Sequence, residues 1–137
     1  MGSFHNFGAT NPARTANTVD ALKAALYLTT GTIGAATTVY TASGEVTGTN
    51  YTAGGIAVTN ATAPSVSGTT AIWTPSAALV YSSVTLSTAF DTVLMYNSSQ
   101  SNRAILAFNF GSTTVTAGTL TLNMPANAAG TALINLA

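Results

Sequence analysis

Short hydrophobic segments recur along the chain from about residue 37 and are separated by Gly, Pro, Ser and Asn. Hydrophobic residues that alternate with polar ones at a period of two are typical of a half-buried β-strand. Residues 119–124 are the clearest case, because Leu120, Leu122 and Met124 alternate with Thr and Asn. The pattern predicts strands in eight segments: 37–42, 55–59, 70–74, 78–86, 92–97, 103–110, 119–124 and 132–136.

Turn-forming residues divide these segments. Residues 97–102 (NSSQSN) join two strong strand candidates and predict a hairpin loop, because asparagine tolerates positive φ angles. We expect a break in the strand at 78–86 near Ser82-Ser83, and a turn bracketed by Gly111 and Gly118. The residues predicted to form the hairpin and its base are Tyr96, Asn97, Asn102 and Arg103.

The stretch 19–29 fits two periodicities. Val19, Leu22 and Leu26 recur at helical spacing, whereas the same stretch also alternates at a period of two. We interpret its second half as a strand because the chain that follows is β throughout.

Residues 1–18 are polar and rich in Gly, Asn and Thr, and they predict an extended N-terminal arm. Residues 19–137 are predicted to form a single β domain. Regularly spaced short strands predict an all-β fold, an antiparallel β-sandwich or barrel, with the jelly roll among its variants. The spacing does not distinguish these topologies.

The composition is almost free of charge. Of 137 residues only 4% are charged, three basic and three acidic, while 47% are hydrophobic and none is cysteine. Three cations cannot form the basic patch that nucleic acid requires, and a disulfide framework is excluded. The chain has 26 Thr and 25 Ala. A neutral, threonine-covered surface promotes association, so the composition predicts a protein that works inside an assembly.

Acid–base chemistry has few candidate residues. His5, the one histidine, lies in the predicted arm, and the three carboxylates Asp20, Glu45 and Asp91 belong to separate segments. These residues predict neither a catalytic triad nor a metal or cofactor site, so we expect a non-enzymatic protein. The sequence shows neither a signal peptide nor an apolar run long enough to span a membrane. The absence of cysteine fits a cytoplasmic origin.

Glu45 stands alone in a nearly uncharged segment, directly before a glycine-rich stretch. A buried carboxylate is costly unless hydrogen-bond donors meet it, and backbone N–H groups of a glycine-rich turn can do so. We therefore predict that Glu45 fixes the loop of residues 45–55. Calcium binding is the alternative, although few oxygen-bearing charges accompany Glu45.

The segment 44–55 (GEVTGTNYTAGG) resembles a signature of small tailed-phage virion proteins, in which a Glu and a short Gly-containing link precede Tyr-Thr-Ala-Gly-Gly. Further matching features follow in the same order from about residue 20 to the end: MYN at 95–97, NRAI at 102–105 and FG at 110–111. One departure is Asn50, where the pattern usually has Gly, but asparagine also accepts a left-handed turn. The loop residues carried by the resemblance are Glu45, Asn50, Tyr51, Gly54 and Gly55.

The resemblance implies a non-enzymatic structural protein of the virion, made in the host cytoplasm. We expect a capsid decoration or cement protein that binds the major capsid protein on the outer shell as a homo-oligomer, a trimer by expectation. Neither nucleic acid nor membrane is an expected partner. The shortened middle region, about 61–75, leaves the outer-surface contacts open.

Two other interpretations stay open. The chain is a tail, adaptor or spike component of a virion that contacts a host surface glycan, or it is a self-assembling cell-surface protein. A glycan site requires exposed aromatic rings, whereas a core or subunit interface uses the same residues buried. The aromatic candidates are Tyr27, Tyr40, Tyr51, Trp73, Tyr81 and Tyr96.

Overall fold

The computed structural model describes residues 20–59 and 63–136, and the predicted arm at 1–18 lies outside them. The described residues form two antiparallel sheets of four and three strands, which confirms the all-β prediction. Within this part of the chain neither sheet closes into a barrel, and two antiparallel sheets are consistent with the predicted sandwich class. No helix in the described ranges is long and apolar enough to cross a membrane.

Seven strands make up the two sheets. In chain order they are β1 (Leu22–Leu28), β2 (Ile56–Ala57), β3 (Ser65–Ser67), β4 (Thr70–Trp73), β5 (Leu79–Asn97), β6 (Arg103–Leu122) and β7 (Ile134–Leu136). The four-stranded sheet has the order β2-β1-β5-β6, and the three-stranded sheet has the order β3-β4-β7. The sequence pattern did not predict β3, which is only three residues long.

The chain divides into two compact units, each with one sheet. Within the described ranges, residues 63–74 and 125–136 form the smaller unit, where Trp73 is buried and pairs with Ile134 across β4 and β7. The hydroxyl of Thr74 accepts a hydrogen bond from the amide of Leu133 at 2.9 Å. Residues 20–59 and 75–124 form the larger unit, which contains the four-stranded sheet.

The core of the larger unit lies on both faces of β1 and β5. On one face Ala25, Tyr27, Leu94 and Tyr96 pack together. Residues on the opposite face of both strands are equally buried: Ala24, Leu26, Val93 and Met95. Each fully buried large apolar side chain stabilises the fold by roughly 1.5–3 kcal/mol. A strand buried on both faces reads as a continuous apolar run, and this explains the ambiguous periodicity of its sequence.

β5 joins two segments that the pattern predicted as separate strands. It runs for 19 residues and pairs with β1 at one end and with β6 along its whole length. The predicted break near Ser82-Ser83 is confirmed, since Ser83 has a φ of 53° and the register shifts between Tyr81 and Val84. The break is a bulge rather than a strand end, because β6 continues on the far side.

The predicted turn between Gly111 and Gly118 is wrong. β6 passes through this segment without interruption, and Val115 pairs with Leu86 of β5. Gly111 and Ala117 have positive φ angles of 94° and 47°, so the glycine-rich chemistry produces two local irregularities instead of a reversal. The long partner strand β5 holds the chain extended on both sides of each irregularity.

The predicted strand at 37–42 is also wrong. Instead of a strand, this segment forms one isolated bridge, between Val39 and Arg103 at the start of β6. The segment is part of a loop that includes Gly31, Gly34 and Gly44, and this loop packs Ile33 and Tyr40 against the buried face of β1. The segment thus covers the buried face of β1 with side chains instead of pairing along its length as a strand.

Candidate functional site: a buried carboxylate surrounded by tyrosines

Glu45 lies at the edge of β1 and is only 7% exposed. Its neighbours Gly44 and Val46 pair with β1, since the amide of Leu28 donates to the Gly44 carbonyl at 2.9 Å and that of Val46 donates to the Leu26 carbonyl at 3.0 Å. Gly44 has a φ of 79°, which glycine adopts without strain. These backbone hydrogen bonds on either side of Glu45 hold its side chain against the sheet.

Three donors meet the carboxylate. Tyr40 Oη donates to Oε2 at 2.7 Å, while Tyr51 Oη and the amide of Gly54 each donate to Oε1 at 2.7 Å. The predicted backbone donor from the glycine-rich loop is thus confirmed. Hydrogen bonds to an ionised acceptor are about twice as strong as neutral ones, and they offset the cost of burying this charge. Calcium needs oxygen ligands, whereas these neighbours are O–H and N–H donors.

The remaining tyrosines surround the same site, and we call Glu45 with Tyr27, Tyr40, Tyr51, Tyr81 and Tyr96 the Glu45 cluster. These are all five tyrosines of the chain. Tyr40 stacks on Tyr96 with ring centroids 4.8 Å apart, and Tyr51 stacks on Tyr81 at 6.1 Å. Sequence reasoning treated them as core, interface or glycan-stacking candidates and missed the cluster. The available signal was the spacing of Tyr40 and Tyr51, five and six residues from Glu45.

Tyrosine hydroxyls also complete the backbone hydrogen bonding of β1 and its loop. Tyr51 Oη accepts from the Leu26 amide at 3.0 Å. This amide lies in the part of β1 between its two paired ends, which bond to the segments 44–46 and 56–58. Tyr96 Oη donates to the Gly54 carbonyl at 2.7 Å. The other two hydroxyls donate to the backbone carbonyls of Ala24 (from Tyr81) and Thr41 (from Tyr27). All five hydroxyls are therefore bonded within the protein.

Burial raises the pKa of Tyr27 to about 12, with a smaller contribution from the negative charge of Glu45. Burial likewise raises the pKa values of Tyr40 and Tyr51, and each hydrogen bond to Glu45 adds to the increase because it favours the protonated phenol. The pKa values of Tyr81 and Tyr96 are raised mainly by burial and also by the negative charge of Glu45. The phenols therefore remain donors at neutral pH.

The loop residues carried by the resemblance have the backbone geometry that their types suggest. Asn50 adopts a left-handed φ of 61°, as predicted, and its side-chain amide donates to the Ser83 carbonyl at 2.8 Å. Gly54 and Gly55 have φ angles of 87° and 72°. A Cβ on Gly55 would lie 1.8 Å from the Ala24 carbonyl oxygen, so this position excludes every other residue.

The predicted hairpin is confirmed. Asn97 pairs with Arg103 at the end of β5 and β6, and Asn102 has a left-handed φ of 56°. Asn97 Nδ2 donates to Asp20 at 2.9 Å, which ties the hairpin to the residues before β1. Of the four predicted hairpin residues only Tyr96 belongs to the Glu45 cluster.

The other two carboxylates lie outside the Glu45 cluster. Asp20 accepts hydrogen bonds from the hairpin loop, and Asp91 accepts one from its neighbour Thr92 at 2.8 Å. In the described ranges no three His, Asp or Glu side chains are grouped so that they could hold a metal ion. A depression of about 210 Å³ near the start of β6 is lined by uncharged residues, Leu94 and Ile105 among them. The Glu45 cluster thus has a structural role: it holds the loop of residues 45–55 against the edge of β1.

Comparisons with protein-family models, with curated proteins and with solved structures give no match.

Proposed function

We propose that this protein is a non-enzymatic structural component of a tailed-phage virion, a capsid decoration or cement protein that binds the major capsid protein as an oligomer. The sequence resemblance over residues 44–55 and the neutral composition support this role. The Glu45 cluster supports it as well, because a loop held by internal hydrogen bonds suits a part that must keep its shape under load.

The observation that carries the proposal is the exposure of β6. It is the edge strand of the four-stranded sheet, 20 residues long, and none of its residues is fully buried. No charged residue follows Arg103 in the sequence. Apolar side chains along β6 remain half-exposed: Leu106, Phe108, Phe110, Val115, Leu120 and Leu122. A continuous half-covered apolar strip without charge is typical of a surface that an assembly completes.

A glycan-binding spike is less well supported. A sugar platform needs exposed aromatic rings with a free polar edge. The tyrosine hydroxyls are bonded within the protein, and Trp73 is only 7% exposed. The five tyrosines and Trp73 thus pack within the protein, in agreement with the core alternative for these residues.

Immunogold electron microscopy of the parental phage tests the proposal, with antibody raised against this chain. We expect label spread evenly over the head, with particles from an unrelated phage as the unlabelled control. Label confined to the tail would favour the adaptor or spike interpretation. The absence of label from the particle would reject a virion role.

A further inference from the structure

The outer edge of β6 is open along most of its length. Only its first two residues are covered on that side: Arg103 bridges Val39, and the amide of Ala104 donates to the Thr38 carbonyl at 3.0 Å. Within the described ranges no other strand or bridge pairs with this edge. Residues 105–122 therefore present a backbone edge that no other described strand covers, although side chains of β6 itself bond the Gly111 amide and the Thr114 carbonyl.

The residue types that usually protect an edge strand are absent from this stretch. Natural edges carry lysine, proline or inward-pointing charges that prevent pairing with another strand. Residues 105–122 contain none of these residue types. Its irregularities are the positive φ angles at Gly111 and Ala117 and several shifts in its register against β5.

Exposure along β6 is palindromic about Thr114. Gly111 and Ala117, the two residues with positive φ, lie three positions on either side of it. The half-buried positions match in pairs: 113 with 115, 110 with 118, 108 with 120, and 106 with 122. Between 104 and 124 only Ala107 and Thr121 differ in exposure. A strand with this symmetry is complementary to an antiparallel copy of itself.

We infer that two copies of this chain associate by antiparallel pairing of their β6 edges about a two-fold axis at Thr114. In this register Leu106 lies opposite the second copy's Leu122, and Phe108 opposite its Leu120. Residues directly opposite each other lie on the same face, so the half-exposed apolar strips of both copies become continuous. Gly111 lies opposite Ala117, so the two irregularities coincide instead of interrupting the ladder.

The size and charge of the edge fit a second copy. The 18 residues from 105 to 122, which are the 20 of β6 less its first two, extend about 60 Å at about 3.3 Å per residue. A sheet edge about 10 Å thick then buries roughly 600 Å² per partner, about 1,200 Å² in total, which is the lower end of specific interfaces. No charge repulsion opposes the pairing, because this stretch carries no charge.

Single cysteines test the pairing cleanly, since the chain has no cysteine. Thr114→Cys places two cysteines opposite each other with Cα atoms about 4.5–5.5 Å apart, within the range of a disulfide. Thr116→Cys is the matched control, an exposed threonine on the same strand. Its two copies would lie about 13 Å apart along the strands, too far to be bridged.

We expect the purified Thr114→Cys protein to form a disulfide-linked dimer under mild oxidation, at least tenfold faster than Thr116→Cys. Equal rates, or faster linkage at 116, would overturn this register. Sedimentation of the unmodified protein is expected to give a dimer, and a monomer or a three-fold oligomer would contradict the two-fold pairing.

A charge variant keeps the test independent of thiol chemistry. Thr114→Lys places two lysines directly opposite each other with Cβ atoms about 5 Å apart, where like charges are destabilising, and we expect it to raise the dimer dissociation constant at least tenfold. Thr47→Lys adds the same charge on the exposed loop beside β1 and should leave it unchanged. No change with Thr114→Lys would overturn the pairing. This inference rests on the proposed structural role and makes its oligomer a dimer, in place of the trimer expected from the resemblance. It is tested on purified protein, so its failure is distinct from a failure to label the capsid.

Discussion

The Glu45 cluster and the outer edge of β6 belong to the same compact unit and differ in how their polar groups are satisfied. In the cluster, the carboxylate and all five hydroxyls have hydrogen-bond partners within the protein, and among the described residues no buried side-chain polar atom lacks a partner. On β6, 18 residues of backbone edge and an apolar strip remain open. The difference separates a region that the chain completes alone from one that, in our proposal, a second copy completes.

The largest expected effect concerns the loop that closes the cluster. Gly55→Ala forces a Cβ to within 1.8 Å of the Ala24 carbonyl oxygen at a φ of 72°. We expect the variant to fail to fold or to lose about 4 kcal/mol or more of its free energy of unfolding, measured by urea denaturation. Gly68→Ala is the control, because Gly68 has a φ of 62° but open space around it. It should cost only about 1–2 kcal/mol, and an equal loss in both variants would mean that the close approach is unimportant.

The second-largest effect is expected from alkaline pH, which should destabilise the Glu45 cluster. The pKa of Tyr27 is about 12, and the pKa values of the other four tyrosines are also raised above the ordinary value of 10. Groups whose pKa is raised on folding stabilise the protein fully below the unfolded pKa, and this stability is lost as pH rises through the folded pKa. We expect the urea midpoint to fall steeply from about pH 10 to pH 12, with tyrosinate absorbance appearing only as the protein unfolds. Tyrosinate at pH 10 in the folded protein would contradict this arrangement.

Removal of the charge tests the carboxylate itself. Glu45→Gln keeps the size of the side chain but turns one acceptor oxygen into a donor, which faces the hydroxyl or amide donors of the cluster. We expect a loss of about 3 kcal/mol in the free energy of unfolding. Asp91→Asn is the matched control, since Asp91 bonds only to the adjacent Thr92 hydroxyl among the described side chains, and it should cost less than about 1 kcal/mol. Similar losses in the two variants would show that Glu45 is not the organising group.

Two tyrosines distinguish the donors within the cluster. The Tyr51 hydroxyl donates to Glu45 and accepts from the Leu26 amide, whereas the Tyr81 hydroxyl donates only to the Ala24 carbonyl. We expect Tyr51→Phe to cost about 2 kcal/mol and Tyr81→Phe about 1 kcal/mol by urea denaturation. The reverse order would show that Tyr51 does not bridge the carboxylate and the strand.

The sequence predicted those features that depend on near neighbours. Alternation placed Leu120 and Leu122 on the inner face, and the glycine-rich stretch after Glu45 suggested a backbone N–H donor, which proves to be that of Gly54. It did not predict that β6 continues through Gly111, because the long-range pairing with β5 holds a segment whose residues favour a turn. The tyrosine cluster was missed for the same reason, since Tyr81 and Tyr96 reach the site only through the register of β5 on β1.

The smallest expected effect is that of salt on the open region. Exposed charge pairs weaken when the Debye length falls from about 10 Å at 0.1 M to about 3 Å at 1 M. The β6 edge carries no charge beyond Arg103, so its association depends on backbone hydrogen bonds and apolar contact. We expect the dimer dissociation constant to change less than about twofold between 0.1 and 1 M NaCl in sedimentation experiments, and the attachment to capsids to persist at 1 M. Release at 1 M would mean that charges outside β6 dominate the interface, and the contrast between a completed cluster and an uncharged open edge would no longer account for assembly.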